Sequence, residues 1–367
     1  MRVAIVLPRG FAFDAAKPNS IETVVRTLNA EVLQAPLGAQ VTIIADASDV
    51  DNGPFELRYV PKGLGRARRV RAILAQFDEM KPDLVEVHQD PHTAARLADL
   101  VSPQRGGPSP VLLYRHNQVK PPANVLRRFV MRGRYGRPDA LVFVSKAMKA
   151  AFETDYPEIG VPTFAVPNAI DVKPWLAPLD SKERLIVFAG RAAREKGFKE
   201  LCAAVPVVLD AFSDWRFEAC ALAWDRWSDW ASASVKPLER FPDDRVIIHR
   251  DQPLGFVQEL LKRASIAIVP STFDEPFGLA AVEAHAAGAA VISSGRGGLR
   301  EASGDWAVYL DDVTPEAIAK ALCDLITDDH KRRHLAEEGQ SWVREAHAVD
   351  VRAAELHRVR STTVIAI

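Results

Sequence analysis

The chain has 367 residues, 48% hydrophobic and 26% charged, a composition typical of a globular protein with little disorder. This length favours two domains over a single core. The three cysteines show no CxxC spacing, so neither a disulfide framework nor a zinc site is indicated. No apolar stretch approaches the roughly 18–20 residues of a transmembrane helix, and the start, MRVAIVLPRG, resembles a buried strand more than a signal peptide. We therefore expect a cytoplasmic protein.

The near-zero net charge hides an asymmetry along the chain. Residues 1–170 contain 22 Lys and Arg against 17 Asp and Glu, whereas the remainder contains 25 against 31. Two arginine clusters contribute to the basic half: Arg66, Arg68, Arg69 and Arg71, and then Arg127, Arg128, Arg132, Arg134 and Arg137. In the second cluster the arginines alternate with apolar residues. Two interpretations stay open, a solvated helix face and a helix that binds phosphate or an anionic membrane surface.

Short apolar runs and helical patterns alternate along the chain. In the first half the predicted strands are VAIVLP, VTIIAD, DLVEVH, VLLYRH and ALVFVS. A Pro-rich segment, KPWLAPLDSKER, predicts a hinge. The strand pattern then resumes with RLIVFAG, WRFEACAL, RVIIHR, SIAIVPS and AAVISS, and from Pro315 onward the pattern is helical.

Repeating βα units predict an α/β protein with two Rossmann-like, doubly wound parallel-sheet domains that face each other across a cleft. We expect an N-terminal domain over residues 1–170 and a C-terminal domain over 171–345. Residues 346–367 form a helix and tail expected to cross back to the N-terminal domain.

The first segment with chemical potential is FAGRAAREKGF, residues 188–198. A strand leads through a glycine to Arg191, Arg194 and Lys196, and a helix is predicted to begin near Gly197. Cations at the carboxyl end of a strand can reach a phosphate in the same crevice. The spacing is not that of a Walker A loop. By itself the segment is also typical of a solvated loop.

The second segment is STFDEPFGLAAVEAHAAG, residues 271–288. A predicted strand ends just before it, and a helix is predicted to start around Phe277 and Gly278. The helix's free N–H groups can bind an anion such as a diphosphate. Glu275 precedes the turn and Glu283 lies inside the helix. The alternative is that both glutamates have ordinary structural roles, Glu275 complementing the helix dipole.

The third segment, VISSGRGGLREA over residues 291–302, passes through three glycines into a predicted helix. In this order the three segments resemble the retaining glycosyltransferases of the GT-B fold, specifically glycosyltransferase family 4 (glycosyltransferase group 1). VSKAMK followed by VPNAIDV, the basic GR…EKG segment, the E-x7-E motif in EPFGLAAVE and the GGLRE that follows carry the resemblance. One departure is Ala169, which stands where the family usually has glycine.

The resemblance implies a role for each matched position. Arg191 and Lys196 would neutralise the donor diphosphate. Backbone amides near Phe277, Gly278 and Leu279 would bind the distal phosphate. Glu275 would hold the transferred sugar and Glu283 the ribose.

Arg250 lies in RVIIHRDQPLGF, a segment that by resemblance lines the base pocket without distinguishing UDP from GDP. The family requires no metal, and we expect no cofactor. One DxD triplet, Asp49-Val50-Asp51, is interpreted as an ordinary acidic turn rather than as a metal ligand.

The N-terminal domain matches the family less closely. Where the family has a glycine pair after the first strand, this chain has Asn19 and Ser20, which are sound helix N-caps with Glu22 nearby. Whether this loop contacts donor or acceptor stays open. Arg115, His116 and Asn117 end a predicted strand, and His116 resembles the family's strand-end histidine near the sugar hydroxyls. His88 is a second candidate.

The resulting hypothesis is a hexosyltransferase that moves a sugar from a UDP- or GDP-sugar to a hydroxyl group and retains the anomeric configuration. The arginine-rich segments favour a glycolipid acceptor, such as a lipopolysaccharide core or a polyprenyl-linked oligosaccharide, and peripheral binding to the inner face of the cytoplasmic membrane. No nucleic acid partner is expected. The alternatives are another GT-B enzyme, such as a sugar-nucleotide 2-epimerase or a phosphorylase, and a non-catalytic nucleotide-sugar-binding scaffold.

Overall fold

A computed structural model describes residues 1–14, 19–48 and 53–365, and for residues 31 and 32 only the backbone. Its contacts divide the chain into two compact units. Unit 1 comprises Met1–Ala169 and Val349–Ile367, and unit 2 comprises Ile170–Ala348. All seven tryptophans lie in unit 2.

Each unit is built on one parallel sheet. The strands of unit 1 are β1 (Arg2–Val6), β2 (Gln40–Asp46), β3 (Glu56–Val60), β4 (Leu84–His88), β5 (Val111–Arg115), β6 (Ala140–Phe143) and β7 (Thr163–Ala165). Those of unit 2 are β8 (Glu183–Arg191), β9 (Arg216–Leu222), β10 (Val246–Arg250), β11 (Ala264–Val269), β12 (Ala290–Ser293) and β13 (Ala307–Tyr309). Every apolar run named above forms a strand, which confirms the predicted α/β fold. The sequence missed β3, β7 and β13.

Helices connect the strands in both units. They are α1 (Ser20–Leu28), α2 (Glu31–Gln34), α3 (Arg66–Met80), α4 (Pro91–Val101), α5 (Val125–Tyr135), α6 (Lys146–Asp155), α7 (Phe198–Ala211), α8 (Ser228–Val235), α9 (Leu254–Arg263), α10 (Leu279–Ala286), α11 (Leu299–Ser303), α12 (Pro315–Thr327), α13 (Asp329–Ala346) and α14 (Val349–Ile365). The Pro-rich segment predicted as a hinge contains two short 3-10 turns, and Trp175 within it is buried.

The order of the strands identifies the ligand-binding edge of each sheet. In unit 1 the order is β3-β2-β1-β4-β5-β6-β7, and in unit 2 it is β10-β9-β8-β11-β12-β13. The direction of strand addition therefore reverses between β1 and β4 and again between β8 and β11. Ligands of doubly wound sheets bind at such switch points, beyond the carboxyl ends of the strands.

The central strands are buried on both faces, which explains their continuous apolar runs. Every residue of β4 and β5 is buried. Helix α14 belongs to unit 1 and contacts α1, so the final helix packs on the N-terminal sheet unit as the sequence predicted.

Candidate functional site

The predicted donor segments meet at the switch point of unit 2. Strand β8 ends at Arg191 and is followed by a 3-10 turn over Arg194–Lys196. The neighbouring strand β11 ends at Val269, and the loop containing Ser271 and Glu275 follows it. Segments about 80 residues apart in sequence thus share one sheet edge.

An ion pair joins these two loops. Lys196 Nζ lies 2.5 Å from Glu275 Oε1, and the same oxygen accepts a hydrogen bond from Ser271 Oγ at 2.5 Å. Glu275 is only 6% exposed. Both contacts use Oε1, and Oε2 accepts no hydrogen bond from the described residues. One oxygen therefore fixes the carboxylate, which leaves the other to accept a hydrogen bond from a ligand hydroxyl.

The N-terminus of α10 begins three residues after Glu275. Gly278 is its N-cap, with φ 120°, and provides no side-chain cap. A Cβ on Gly278 would lie 2.5 Å from Leu299 Cδ2, so only glycine fits this position. Leu279, the first helical residue, is half-buried. Uncapped N–H groups with the positive end of the helix dipole suit an anion.

The side chain of Phe277 is buried and does not face the predicted substrate site. Its ring is 1% exposed and packs edge-on against His347 at a centroid distance of 5.2 Å. The side chain is therefore part of the core of unit 2, and only its backbone is available to a ligand.

Two glycines of the third segment bring a second loop against Glu275. Gly298 N donates to Glu275 O at 2.8 Å, and Gly297 forms an isolated parallel bridge with Glu275. A Cβ on Gly297 would lie 2.4 Å from Glu275 O. These glycines permit a close approach to the Glu275 loop.

Glu283 lies on α10, one and a half turns from Gly278, and is half-buried. Among the described residues its carboxylate has no hydrogen-bond partner. Burial raises its pKa to about 7. A perturbed, unpaired carboxylate beside an anion-binding helix end is typical of a functional site.

The two remaining predicted donor residues are cations. Arg191 pairs with Glu195 at 2.9 Å, and the arginine side chain is 42% exposed. Arg250 ends β10 and stacks on the ring of Trp224 at 4.3 Å. Because β9 separates β10 from β8, Arg250 lies farther than Arg191 from the switch point between β8 and β11.

In unit 1, His116 belongs to a buried polar network that starts from α14. Arg360 donates to both carboxylate oxygens of Glu86, at 2.8 and 3.0 Å, and Glu86 Oε1 contacts His88 Nε2 at 2.8 Å. His88 Nδ1 lies 2.7 Å from His116 Nε2. Asn29 Oδ1 also accepts from Arg360.

This network determines which nitrogen of His116 is available. Burial and the nearby His88 and Arg115 lower the pKa of His116 well below its usual range, so the ring is neutral. In the tautomers that match these contacts, the Glu86 carboxylate accepts from His88 Nε2–H, and His88 Nδ1 accepts from His116 Nε2–H. The lone pair of His116 Nδ1 is then available for a substrate hydroxyl.

The residues on either side of His116 are held by Gln89. Its Oε1 accepts from the backbone N of His116 at 2.9 Å and of Asn117 at 3.2 Å. Arg115 donates from Nη1 to Gln89 O and is 6% exposed. The Arg115 guanidinium thus has a structural role, and Asn117 is the exposed member of the predicted group.

Asn19 and Ser20 begin α1, as predicted. Asn19 Oδ1 accepts from the backbone N of Ile21 and Glu22, and Glu22 Oε2 accepts from Asn19 N, which completes a capping box. The helix start thus survives without the family's glycine pair. The side-chain oxygen of Asn19, Oδ1, thus already accepts hydrogen bonds from its own helix.

The Asp49-Val50-Asp51 triplet lies outside the described residues. Within the described ranges, no group of three or more His, Cys, Asp or Glu side chains could hold a metal ion. Sequence reasoning missed Glu86, Gln89 and Arg360. Glu86 and His88 are two residues apart on one strand and therefore share a face, which was a usable sequence signal. Nothing in the sequence around Arg360 indicated its role.

Both halves of this chain are similar to known proteins. A model described as Glycosyltransferase Family 4 matches residues 21–173, and one described as Glycosyl transferases group 1 matches residues 171–342. The chain is 27% identical over 226 residues to an alpha-maltose-1-phosphate synthase from Mycolicibacterium smegmatis, covering 55% of this chain and 57% of that protein. It is 29% identical over 171 residues to a D-inositol 3-phosphate glycosyltransferase from Corynebacterium glutamicum, covering 46% and 40%. It thus spans about half the length of these curated relatives.

The fold is also found in solved structures. Anabaena Alr3699/HepE in complex with UDP-glucose superposes with a TM-score of 0.75 at 14% identity, over 98% of this chain and 99% of that one. The two family matches together span residues 21–342, and the fold agrees with them. The chain therefore belongs to the glycosyltransferases, with a family 4 region followed by a group 1 domain on a GT-B fold.

Proposed function

We propose that this protein transfers a sugar from a nucleotide diphosphate sugar to an acceptor hydroxyl with retention of the anomeric configuration. The observation that carries the proposal is the Lys196–Glu275 pair at the switch point of unit 2, three residues before the uncapped start of α10. A cation, a helix N-terminus and an oriented carboxylate are the groups that a sugar diphosphate requires.

Each donor group has a partner in this arrangement. Lys196, Arg191 and the first N–H groups of α10 stabilise the diphosphate as negative charge develops on it. Preorganised donors of this kind are each worth about 2–4 kcal/mol. The Arg191–Glu195 pair is exposed, so exchanging Glu195 for a phosphate costs about 1 kcal/mol or less. Glu275 Oε2 accepts from a sugar hydroxyl, and Glu283 accepts from the ribose.

Retention follows from a front-face displacement. In this step the acceptor oxygen forms a bond to the anomeric carbon while the bond to the donor phosphate oxygen breaks. Because the acceptor oxygen attacks directly, no side chain serves as nucleophile, and because the departing phosphate takes the acceptor's proton, no side chain serves as general base. Glu275 Oε1 accepts hydrogen bonds from Lys196 Nζ and Ser271 Oγ, so the carboxylate is positioned as a hydrogen-bond acceptor. No metal is required, since cations and helix N–H groups balance the charge.

Unit 1 contributes the acceptor side and His116. The UDP-glucose complex of Alr3699/HepE supports UDP-sugars as the first donors to test. His116 Nδ1 accepts a hydrogen bond from a hydroxyl of the sugar or the acceptor.

Helix α5 supports an acceptor at an anionic membrane surface. Val125, Leu126 and Phe129 are 82, 71 and 69% exposed, although they are large and apolar. Arginines alternate with them along the helix, and Arg132 is about half exposed. An apolar face flanked by arginines suits the boundary between lipid headgroups and acyl chains. None of the helices in the described part of the chain is long and apolar enough to cross a membrane.

Donor binding is the first test. Isothermal titration with UDP, GDP, ADP and their sugars compares the wild type with Arg191→Ala and Lys196→Met. Lys199→Met is the matched control, because Lys199 is exposed on α7 two residues after Gly197. We expect one nucleoside diphosphate to bind, at least tenfold more weakly in the two site variants and unchanged in the control. A wild type that binds none of these nucleotides would refute the donor site.

Transfer itself needs a separate measurement. With the nucleotide identified, hydrolysis or transfer of the sugar is followed by NMR of the anomeric proton, and an α-linked donor should give an α-linked product. An inverted product would exclude the front-face mechanism. Nucleotide binding without turnover towards any acceptor would favour the scaffold alternative.

Membrane binding is tested by cosedimentation with anionic vesicles. The double variant Leu126→Gln and Phe129→Gln should lose binding to vesicles containing phosphatidylglycerol. The control, Leu254→Gln, alters another exposed leucine, 54% exposed, on α9 of unit 2. Equal binding by the wild type and the double variant would contradict this role of α5.

A further inference from the structure

A cavity of about 280 Å³ opens at the switch point of unit 1. We call it the arginine cavity; its lining includes Arg9, Arg66, Arg69, Gln89 and Thr93. Arg9 follows β1 by three residues and Gln89 directly follows β4. These are the two strands between which the direction of strand addition reverses. The topology therefore predicts a ligand at this place.

Arg69 is the buried cation of the cavity. It is 2% exposed, donates from Nε to Asp46 Oδ1 at 3.0 Å and from Nη2 to Leu7 O at 2.9 Å. Its Nη1 has no hydrogen-bond partner among the described residues. Leaving a charged buried donor unpaired is unfavourable, so a ligand oxygen in the cavity would gain a strong, charge-assisted hydrogen bond.

The rest of the lining is also suited to an anion. Arg9 and Arg66 are exposed and supply two further positive charges. Arg66 begins α3, whose N-cap, Gly65, provides no side-chain acceptor for the first N–H groups. The one lining carboxylate, Asp90, already accepts from the backbone N of His92 and Thr93 and from Thr93 Oγ1.

Gln89 connects the arginine cavity to His116. Its backbone has φ 62°, a left-handed conformation that is uncommon for residues other than glycine and is concentrated at functional sites. Gln89 is one of the residues that line the cavity, and its Oε1 accepts from the backbone N of His116. An anion in the cavity and a hydroxyl at His116 would thus occupy adjoining positions along one sheet edge.

We propose that the arginine cavity binds a phosphate group of the acceptor, whose hydroxyl receives the sugar near His116. The ligand class is a phosphorylated polyol or sugar, either soluble or lipid-linked. The proposal rests on the proposed function because it names the acceptor for the same transfer. Phosphate is favoured over a carboxylate because three arginines, one of them the first residue of α3, line one small cavity, and a phosphate offers more acceptor oxygens than a carboxylate.

The test uses glucose 1-phosphate as the soluble probe and glucose as its neutral counterpart. Binding to the full chain is measured by ³¹P and saturation-transfer NMR for the wild type, Arg9→Gln, Arg66→Gln and Arg71→Gln. Arg71→Gln removes the same charge from the same helix, but Arg71 lies outside the cavity lining. Arg69 is left unchanged because its pairing with Asp46 supports the fold.

We expect glucose 1-phosphate to bind and glucose not to bind. Binding should weaken at least tenfold in Arg9→Gln and Arg66→Gln and stay within twofold in Arg71→Gln. A parallel arm uses vesicles that contain polyprenyl phosphate, compared with phosphatidylcholine vesicles. Arg66-dependent binding in the first arm alone indicates a soluble acceptor, and such binding in the second arm alone indicates a lipid-linked one.

The proposal is overturned if neither probe binds in an Arg66-dependent manner, or if Arg71→Gln weakens binding as much as Arg66→Gln. The latter outcome would show a general charge effect. The titration with UDP, GDP and ADP is run alongside on the wild type, since the proposed donor site lies in unit 2. Loss of phosphate binding with nucleotide binding intact would reject the arginine cavity alone, whereas the absence of binding by every nucleotide would reject the proposed function.

Discussion

Removing Arg360 should destabilise unit 1 by about 3–5 kcal/mol, because Glu86 would be left as a buried, unpaired charge. The two side chains are 4% and 0% exposed and are joined by bidentate hydrogen bonds. Burial alone would raise the pKa of Glu86, but Arg360 and His88 lower it from 4.5 to about 2. At 1.36 kcal/mol per pH unit, this difference corresponds to about 3 kcal/mol of stabilisation at neutral pH. The two figures agree.

The assay uses the distribution of tryptophans. Because all seven lie in unit 2, tryptophan fluorescence reports on that unit, whereas far-UV circular dichroism reports on both. In urea, Arg360→Met should move the dichroism transition to lower denaturant and move the fluorescence transition less. The double variant Glu86→Gln and Arg360→Met should be more stable than Arg360→Met alone, since it leaves no uncompensated charge.

The same pair predicts a pH dependence. Since the folded pKa of Glu86 is depressed, its stabilisation is fully present above pH 4.5 and is lost as the pH falls towards 2. Glu86→Gln should lack this component of acid unfolding. A single Arg360→Met variant within 1 kcal/mol of the wild type, or a double variant less stable than the single one, would refute the reasoning.

Three further predictions concern unit 2 and are read by tryptophan fluorescence. Burial raises the pKa of Glu283 to about 7, so its favourable contribution is complete below pH 4.5 and is lost as the pH rises through 7. The free energy of unfolding of the wild type should therefore fall by about 1–2 kcal/mol between pH 5 and 8, allowing for partial exposure, and Glu283→Gln should not show this fall. A wild type whose stability is constant over this range would contradict the prediction. Gly297→Ala should lower the free energy of unfolding by more than 1 kcal/mol and weaken donor binding, because φ is 60° and the new Cβ would lie 2.4 Å from Glu275 O. Gly255→Ala is the control, since a Cβ on Gly255 would meet open space. Lys182 Nζ donates to Lys262 O and Ala287 O at the ends of two helices. Lys182→Met should therefore lower the free energy of unfolding by about 1–3 kcal/mol at pH 7. An unchanged urea midpoint would show that water replaces the ammonium group.

The sequence by itself determined the features that depend on neighbouring residues. Central strands such as β4 and β5 are buried on both faces, so their continuous apolar runs identified them. The Asn19–Glu22 capping box needs only residues three apart. The donor segments could be recognised because each is a strand end, a turn and a helix start that are contiguous in the chain.

Three of the four edge strands escaped prediction, whereas the fourth, β10, was recognised from its apolar residues. β3 is mostly polar and partly exposed, and β7 and β13 have three residues each. Such strands form because the neighbouring strand offers unpaired N–H and C=O groups, and this depends on the sheet rather than on the local pattern.

Only the tertiary structure decided which side chains meet. Lys196 and Glu275 are 79 positions apart, and Arg360 and Glu86 are 274 apart. The order of the strands puts β8 beside β11 and β1 beside β4, and so brings the cationic segments to the two sheet edges where we propose binding. The unpaired Nη1 of Arg69 likewise follows from its burial on α3 against the ends of β1 and β2. A sequence contains the residues of such sites, but their partners are fixed by non-local packing, since hydrogen bonds and ion pairs depend on distances that only the folded chain defines.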